Sequence, residues 1–256
     1  MAQRAGIVEA SGSTMETFPL IDKLASYLSL SPAEIEFLRD LHGMQRRFNR
    51  HRDIIAQDHP YRHVFILRSG FVCRYRILPE GTRQVLNLVL PGDLIGFPAC
   101  FFEKAVYALS SLTEVVAATV PFQAIFDLFA RFPRVAVALY WISAREAAIY
   151  GEHLVSIGRR SAYERLAHFI LELLARLRPI GLANELSYSI PLTQEVIADM
   201  LGLSGPHVSR LLRCLREEGL VTVQGHRLTV TDLESLTVLA GFETEYLTVS
   251  RIPGLQ

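Results

Sequence analysis

The stretch LTQEVIADMLGLSGPHVSRLLRCLREEGL, Leu192 to Leu220, decides the fold. Thr193 is a good helix N-cap, because its hydroxyl accepts one of the backbone N–H groups left open at a helix start. Val196, Ile197, Met200 and Leu201 follow at the spacing of one buried helical face. Ala198 falls where two helices meeting at a steep angle nearly touch, and Gly202 where the chain turns between them. A bulky side chain fits neither place. Leu203 is then a buried turn residue, Ser204 caps a second helix, and Val208, Leu211 and Leu212 give that helix its inward stripe. The opposite face carries His207, Arg210 and Arg213. This joint spacing matches a helix-turn-helix, whose second helix enters the DNA major groove.

Charge separates this reading from a plain two-helix corner. From Ser204 to Arg216 there are three arginines, one histidine and no carboxylate, so the exposed face is basic where a phosphate backbone would lie. Downstream, Leu220 to Val223 alternates as a strand, Gln224-Gly225-His226 supplies a turn, and Leu228 to Val230 returns as a second strand. Placed directly after the second helix, this hairpin reads as a wing. His226 and Arg227 at its tip are candidate phosphate contacts.

Length and composition bound the rest. A chain of 256 residues suffices for two domains, and half-hydrophobic, one-fifth-charged composition is that of a folded, soluble protein. The formal net charge is zero, so nucleic-acid affinity has to come from a local patch. Cys73, Cys100 and Cys214 are too widely spaced for a disulfide framework or a clustered metal site. No apolar run reaches membrane-spanning length and no signal-peptide core is present, so a cytoplasmic location without membrane contact is expected.

Residues 1–17 form a loosely patterned lead. From residue 18 to 41 two short helices are expected, with Ile21, Leu24 and Leu28 on one face and Ser31-Pro32 opening the second. Residues 44–120 change to short strands, Val64 to Leu67, Phe71 to Arg76, Gln84 to Val89 and Val115 to Val120, separated by Arg68-Ser69-Gly70, Pro79-Glu80-Gly81 and Pro91-Gly92-Asp93. That cadence predicts a small antiparallel barrel or jelly roll. One long helix follows, from Pro133 to Gly158. Arg145, Glu146, Glu152 and His153 lie on one side of it, and Tyr140, Ala144, Ala147, Gly151, Leu154 and Gly158 lie opposite, flanked by Trp141, Ala148 and Val155. The small-residue stripe reads as the buried side, packed either on the barrel or, the preferred reading, on the same helix of a second subunit. Arg159-Arg160-Ser161 is a hinge, Ala162 to Leu177 an amphipathic helix, 179–187 a loop, and Asp232 to Leu239 a closing helix.

A β-roll, a long helix and a winged helix-turn-helix in this order resemble the Crp/Fnr family of bacterial transcription regulators. The segments that carry the likeness are FILRSGFVCRYRILPEGTRQVLNLVLPGDLIG, Phe65 to Gly96, and the Leu192–Leu220 stretch. The resemblance implies an α+β fold: a cyclic-nucleotide-binding-like β-roll (18–130), a dimerisation helix (131–158), a winged helix-turn-helix domain (159–248) and a tail (249–256). It implies a homodimer that reads a two-fold symmetric promoter site and contacts RNA polymerase. By the same likeness, Ser209 and Arg210 match positions that reach bases or backbone; Arg is the best single reader of guanine. The expected DNA-contacting set is Thr193, Gln194, Ser204, Pro206, His207, Ser209, Arg210, Arg213, His226 and Arg227.

Two departures matter. Gly205 and Pro206 stand where many members carry Arg-Glu, so the usual operator does not carry over. Cyclic-nucleotide-binding relatives use Gly-Glu for the ribose and Arg-Ser or Arg-Thr for the cyclic phosphate. Here Gly96 precedes Phe97, and ACFFEKAVYALSSL (residues 99–112) holds no arginine, only Lys104. A buried phosphate would lack its charge-assisted bonds, so cyclic AMP binding of the usual kind is not expected. An iron–sulfur cluster needs four thiolates, and no cysteine precedes Cys73. His51, Asp53, Asp58, His59 and His63 are too irregularly spaced for a metal site. No cofactor is expected, and the effector is left open. A rival reading is a small-molecule or nucleotide-binding signalling module whose C-terminal domain mediates protein contacts. An enzyme is disfavoured, since no nucleophile with a local base, phosphate-cradling glycine loop or paired metal motif is present.

Overall fold

The fold is that of a computed structural model in which residues 18–248 and Ile252 are described. The expected lead (1–17) and, Ile252 apart, the tail (249–256) lie outside these residues. Two short helices come first, α1 (Pro19–Ala25) and α2 (Pro32–Asp40). Ser31 caps α2 in a reciprocal box: its hydroxyl accepts from the Glu34 N–H, and the Glu34 carboxylate accepts from the Ser31 N–H at 2.7 Å.

Eight strands then form the roll: β1 (Gln45–Phe48), β2 (Asp53–Ile55), β3 (His63–Ser69), β4 (Val72–Ile77), β5 (Arg83–Val89), β6 (Leu94–Ile95), β7 (Ala108–Ser111) and β8 (Val115–Pro121). They pair antiparallel in two four-stranded sheets, ordered β1-β8-β3-β6 and β2-β7-β4-β5. Side chains alternate across a strand, and β3 uses both faces. Phe65 and Leu67 point into the roll with Val72, Val89 and Ile95, while Val64 and Ile66 pack outward on a second core with Leu24, Leu28 and Leu128. The other sheet does the same on its side. Cys73, Tyr75, Val85 and Leu88 face a third core built with the C-terminal helices.

That C-terminal part comprises α5 (Ala162–Leu177), β9 (Ser187–Ser189), α6 (Gln194–Leu201), α7 (Gly205–Glu217), β10 (Val221–Gln224), β11 (Arg227–Val230) and α8 (Leu233–Ala240). It follows α3 (Phe122–Arg131) and the long α4 (Pro133–Arg159). Three expectations need correction. The strands are followed first by α3, separated from α4 at Phe132, whose φ of −132° and ψ of 68° leave the helical region before Pro133. The wing has a third strand, β9, paired with β11 in the order β10-β11-β9, where a loop and lead-in were expected.

The third correction concerns α4. Its polar side, read as the outer one, turns inward: Arg145, Glu146 and His153 bond to other parts of the chain, while Glu152 pairs with Arg160 at the helix's own C-cap and lies 3.5 Å from His168 of α5. The stripe of Tyr140, Ala144, Ala147, Ala148, Gly151, Leu154, Val155 and Gly158 is exposed in the single chain, which overturns the idea that it packs on the roll. Trp141 leaves the stripe; it is half-buried, with its ring centroid 4.7 Å from that of Tyr27.

Candidate nucleic-acid interface

The reading head is built from α6, a glycine corner and α7. Thr193 caps α6, its hydroxyl accepting from the Val196 N–H at 3.3 Å. Gly202 ends the helix in the left-handed region, φ 64° and ψ 40°, which suits a residue without Cβ. The Leu203 N–H then returns to the Ala198 carbonyl at 3.0 Å and closes the corner. Ser204 stands at the start of α7, but its hydroxyl makes no capping bond, contrary to expectation; its carbonyl accepts from His207 and Val208 instead. Pro206 sits in the first turn, where its missing N–H costs nothing.

Val208 and Leu215 are fully buried on one side of α7, with Leu211 and Leu212 half-buried along the same stripe. The other side presents Arg210 and Arg213 to solvent, with Ser204 and Pro206 exposed and His207 and Ser209 half-buried beside them. Arg210 and Arg213 make no hydrogen bond or ion pair with the described residues. Thr193 and Gln194 are exposed at the start of α6. The wing turn is the two residues Gly225 and His226 between paired Gln224 and Arg227. His226 is exposed at the tip. Arg227 is partly committed elsewhere, donating to the Ser187 hydroxyl on β9 at 3.1 Å.

This head is docked on the roll. Gln84 on β5 donates to the Asp199 carbonyl at 2.7 Å, and Arg83 beside it grips the Asp199 carboxylate. Arg165 on α5 donates to the Leu201 carbonyl. Arg210 and Arg213 take no part in these contacts.

Two family models match the chain, a cyclic nucleotide-binding domain over residues 45–132 and a Crp-like helix-turn-helix domain over residues 164–239. The chain belongs to the Crp/Fnr family of transcription regulators. Among curated members it is 28% identical over 218 residues to regulatory protein HlyX of Actinobacillus pleuropneumoniae, covering 85% of this chain and 90% of that one. It is 29% identical over 185 residues to the nitrogen fixation regulation protein FixK of Azorhizobium caulinodans, covering 72% and 74%. Among solved structures, FixK2 of Bradyrhizobium japonicum superposes with a TM-score of 0.69 at 26% identity, covering 77% of this chain and 96% of that one. Crp/Fnr proteins are transcription regulators, not enzymes, and no helix among the described residues is long and apolar enough to cross a membrane.

The segment after Gly96 begins with an aromatic side chain packed among others. Phe97 is buried, edge-on to Phe101 and Phe129 with centroids 6.2 Å away in each case. Lys104 is exposed on its loop. Burial raises the thiol pKa of both Cys73 and Cys100 to about 11, so neither is a ready thiolate, while Cys214 on α7 is exposed.

Sequence reasoning missed a buried polar network joining roll, α4 and α5. Arg74 pairs with Glu146 at 3.0 Å, Asn87 donates to Glu146 at 3.1 Å, and Arg176 donates to Asn87 at 2.8 Å and to the Leu88 carbonyl at 2.6 Å. Arg176 also pairs with Glu172 at 3.3 Å, and Glu172 accepts from His153 at 2.9 Å. The other ring nitrogen of His153 faces the Leu86 carbonyl at 3.0 Å. With an acceptor at each nitrogen the imidazolium is favoured: burial opposes the charge, but the Glu172 carboxylate and both hydrogen bonds outweigh it and raise the His153 pKa. Burial likewise opposes the Glu172 charge, yet His153 and Arg176 draw its pKa down to about 2. Two signals were available: Arg74 shares the face of buried Val72 in strand alternation, and Glu172 and Arg176 stand four apart on α5.

Proposed function

We propose that the protein acts as a homodimer, with paired α7 helices reading a two-fold symmetric promoter site and the roll or its surroundings contacting RNA polymerase in the cytoplasm. The observation that carries the reading is the solvent-facing pair Arg210 and Arg213, without hydrogen bond or ion pair among the described residues, on a helix whose opposite side buries Val208 and Leu215. Such arginines combine phosphate attraction with bidentate recognition of guanine. Thr193 and Gln194 support it by exposing the start of α6 toward a phosphate backbone, with Ser204, Pro206, His207 and Ser209 completing the face and His226 and Arg227 flanking it on the wing.

A second copy is supported by α4. Its exposed stripe is nearly continuous and apolar, with Tyr140 75% and Leu154 73% exposed, and small residues at Ala144, Ala147, Ala148, Gly151 and Gly158 permit close helix approach. Trp141, turned to Tyr27, contributes from the flank. A dimer about α4 would carry two α7 helices in two-fold relation, as half-site recognition demands.

Cyclic AMP of the usual binding mode has no role in this reading, because Phe97 follows Gly96 in place of the ribose-binding glutamate, and residues 99–112 offer no arginine for a phosphate. Selection of bound fragments from genomic DNA by purified protein, followed by gel shift, tests the proposal. Arg210→Ala should abolish specific binding while leaving the oligomeric state intact; wild-type affinity in that variant refutes the assignment. The match to a cyclic nucleotide-binding domain favours one rival, a nucleotide-binding signalling module. Calorimetry with cyclic nucleotides separates the two, saturable binding supporting the rival.

A further inference from the structure

Glu146 occupies an unusual place for a helix carboxylate. One of its oxygens gathers the Arg74 guanidinium at 3.0 Å, the Asn87 amide at 3.1 Å and the Tyr150 hydroxyl at 3.4 Å, and Arg74 donates to Tyr150 as well. Arg74 is only 8% exposed and Asn87 2%. A guanidinium, an amide and a phenol converging on one anionic oxygen inside a small-molecule-binding type of domain is how a bound carboxylate or phosphate would be held. The far side of Asn87 accepts from Arg176, which itself bonds to Leu88 and Glu172. Two steps therefore lead from Glu146 to α5, the helix that carries the reading head.

We infer that Glu146 is a built-in anionic ligand, supplying from α4 the charge that bridges Arg74 of the roll to Asn87, Arg176 and the DNA-binding head. A dissolved anion in this position would pay translational entropy and leave the head unbridged when scarce. A tethered carboxylate has a high effective concentration at all times, so the head keeps one orientation without an effector. A cavity of about 410 Å³ adjoins the network, lined in part by Asn87, Glu146 and Arg176. Trimming Glu146 joins Arg74 to this space, and a small carboxylate can then reach the guanidinium.

The inference uses the proposed DNA-reading function for one of its two readouts only. The experiment compares full-length wild type, Glu146→Ala, Glu146→Gln and the double variant Glu146→Ala with Arg74→Met. Thermal unfolding and DNA affinity are measured in sodium formate, sodium acetate, sodium chloride and neutral acetamide at matched ionic strength where charged. Glu146→Ala should lose about tenfold or more in DNA affinity, since it leaves a buried guanidinium unpaired. Formate and acetate, but neither chloride nor acetamide, should restore it and raise the unfolding midpoint saturably; wild type and the double variant should show no such response. Should Glu146→Ala not fold, Glu146→Gln keeps the shape without the charge, and wild-type affinity and midpoint in that variant would overturn the inference. Absence of carboxylate-specific rescue in a folded Glu146→Ala would also overturn it. If wild type binds no DNA, the proposed function fails, and the thermal readout still decides the role of Glu146.

Discussion

Arg83 on β5 holds Asp199 on α6 through two nitrogens, Nε at 2.7 Å and Nη2 at 2.5 Å from the same carboxylate oxygen. The first helix of the reading head is thus clamped to a strand of the roll more than a hundred residues away. Both side chains are about one-third exposed, 35% and 29%, so solvent screening keeps the pair's stability contribution under about 1 kcal/mol. Its effect is on orientation. Asp199→Ala should speed amide hydrogen exchange in α6 while lowering the unfolding midpoint by no more than about 3 °C. Unchanged exchange in α6 would show that the clamp positions nothing.

The α4 stripe gives a test of assembly. Leu154→Glu places a charge in the middle of an exposed apolar face, at a side chain that is 73% exposed in the single chain. Sedimentation should show a dimer for wild type at micromolar concentration and a monomer for the variant. A wild-type monomer, or a variant that still pairs, argues against α4 as the seam.

Arg213 offers a salt-dependence test. If it meets a phosphate, Arg213→Ala should weaken binding about equally across DNA sequences and reduce the slope of log affinity against log salt by about 1. Arg210→Ala should instead abolish sequence-specific binding and leave the weaker, salt-dependent attraction to any duplex. An unaltered slope in the Arg213 variant would place that side chain away from the backbone.

Gly202 makes a backbone test. A Cβ there would meet only the Arg165 guanidinium at 3.6 Å, an ordinary contact, so the cost of Gly202→Ala comes from φ at +64°. The loss should be roughly 1–2 kcal/mol in chemical denaturation, with Gly202→Asn less damaging. Equal stability of the alanine variant would mean that the corner relaxes.

His168 predicts an acid limb of stability. It is 2% exposed between the Phe242 and Tyr246 rings, and its Nε2 lies 3.5 Å from Glu152 without a hydrogen bond. Burial and Arg160 push its pKa down to about 4 against the opposing pull of Glu172 and Glu152. The unfolded chain therefore binds the proton more readily, so stability is whole above about pH 6.5 and falls as pH drops toward 4, by on the order of 2–3 kcal/mol. His153 works the other way: its raised pKa contributes fully below about pH 6.5 and is lost as pH rises through the folded value. His168→Phe should flatten the loss between pH 6.5 and 4 in urea titrations, and an unchanged pH profile would remove His168 as its source.

The head was legible because its determinants are local. Thr193 at a cap, Gly202 at a corner and a basic stripe spaced by helical turns are all written within thirty residues, and each appears where expected. The short strands β1, β2 and β7 were not legible: Gln45–Phe48 carries two arginines, and its strand character comes from pairing with β8. β9 is three residues long and exists because β11 offers it an edge. The break between α3 and α4 is marked only by Pro133, and periodicity runs through it.

The order of parts, the basic reading helix and the lack of a phosphate-binding arginine after Gly96 were determined by the chain's own residues, since caps, periods and composition act over a few positions. Which side of α4 faces inward was decided only in three dimensions. Hydrophobicity assigns the small apolar stripe to the interior, but Arg74, Asn87 and Glu172, supplied from β4, β5 and α5, pair with Glu146 and His153 on the opposite side, so the polar face turns inward, half-buried, and the apolar one is left at the surface. A charge buries only where its partners already stand, and that placement belongs to the assembled fold.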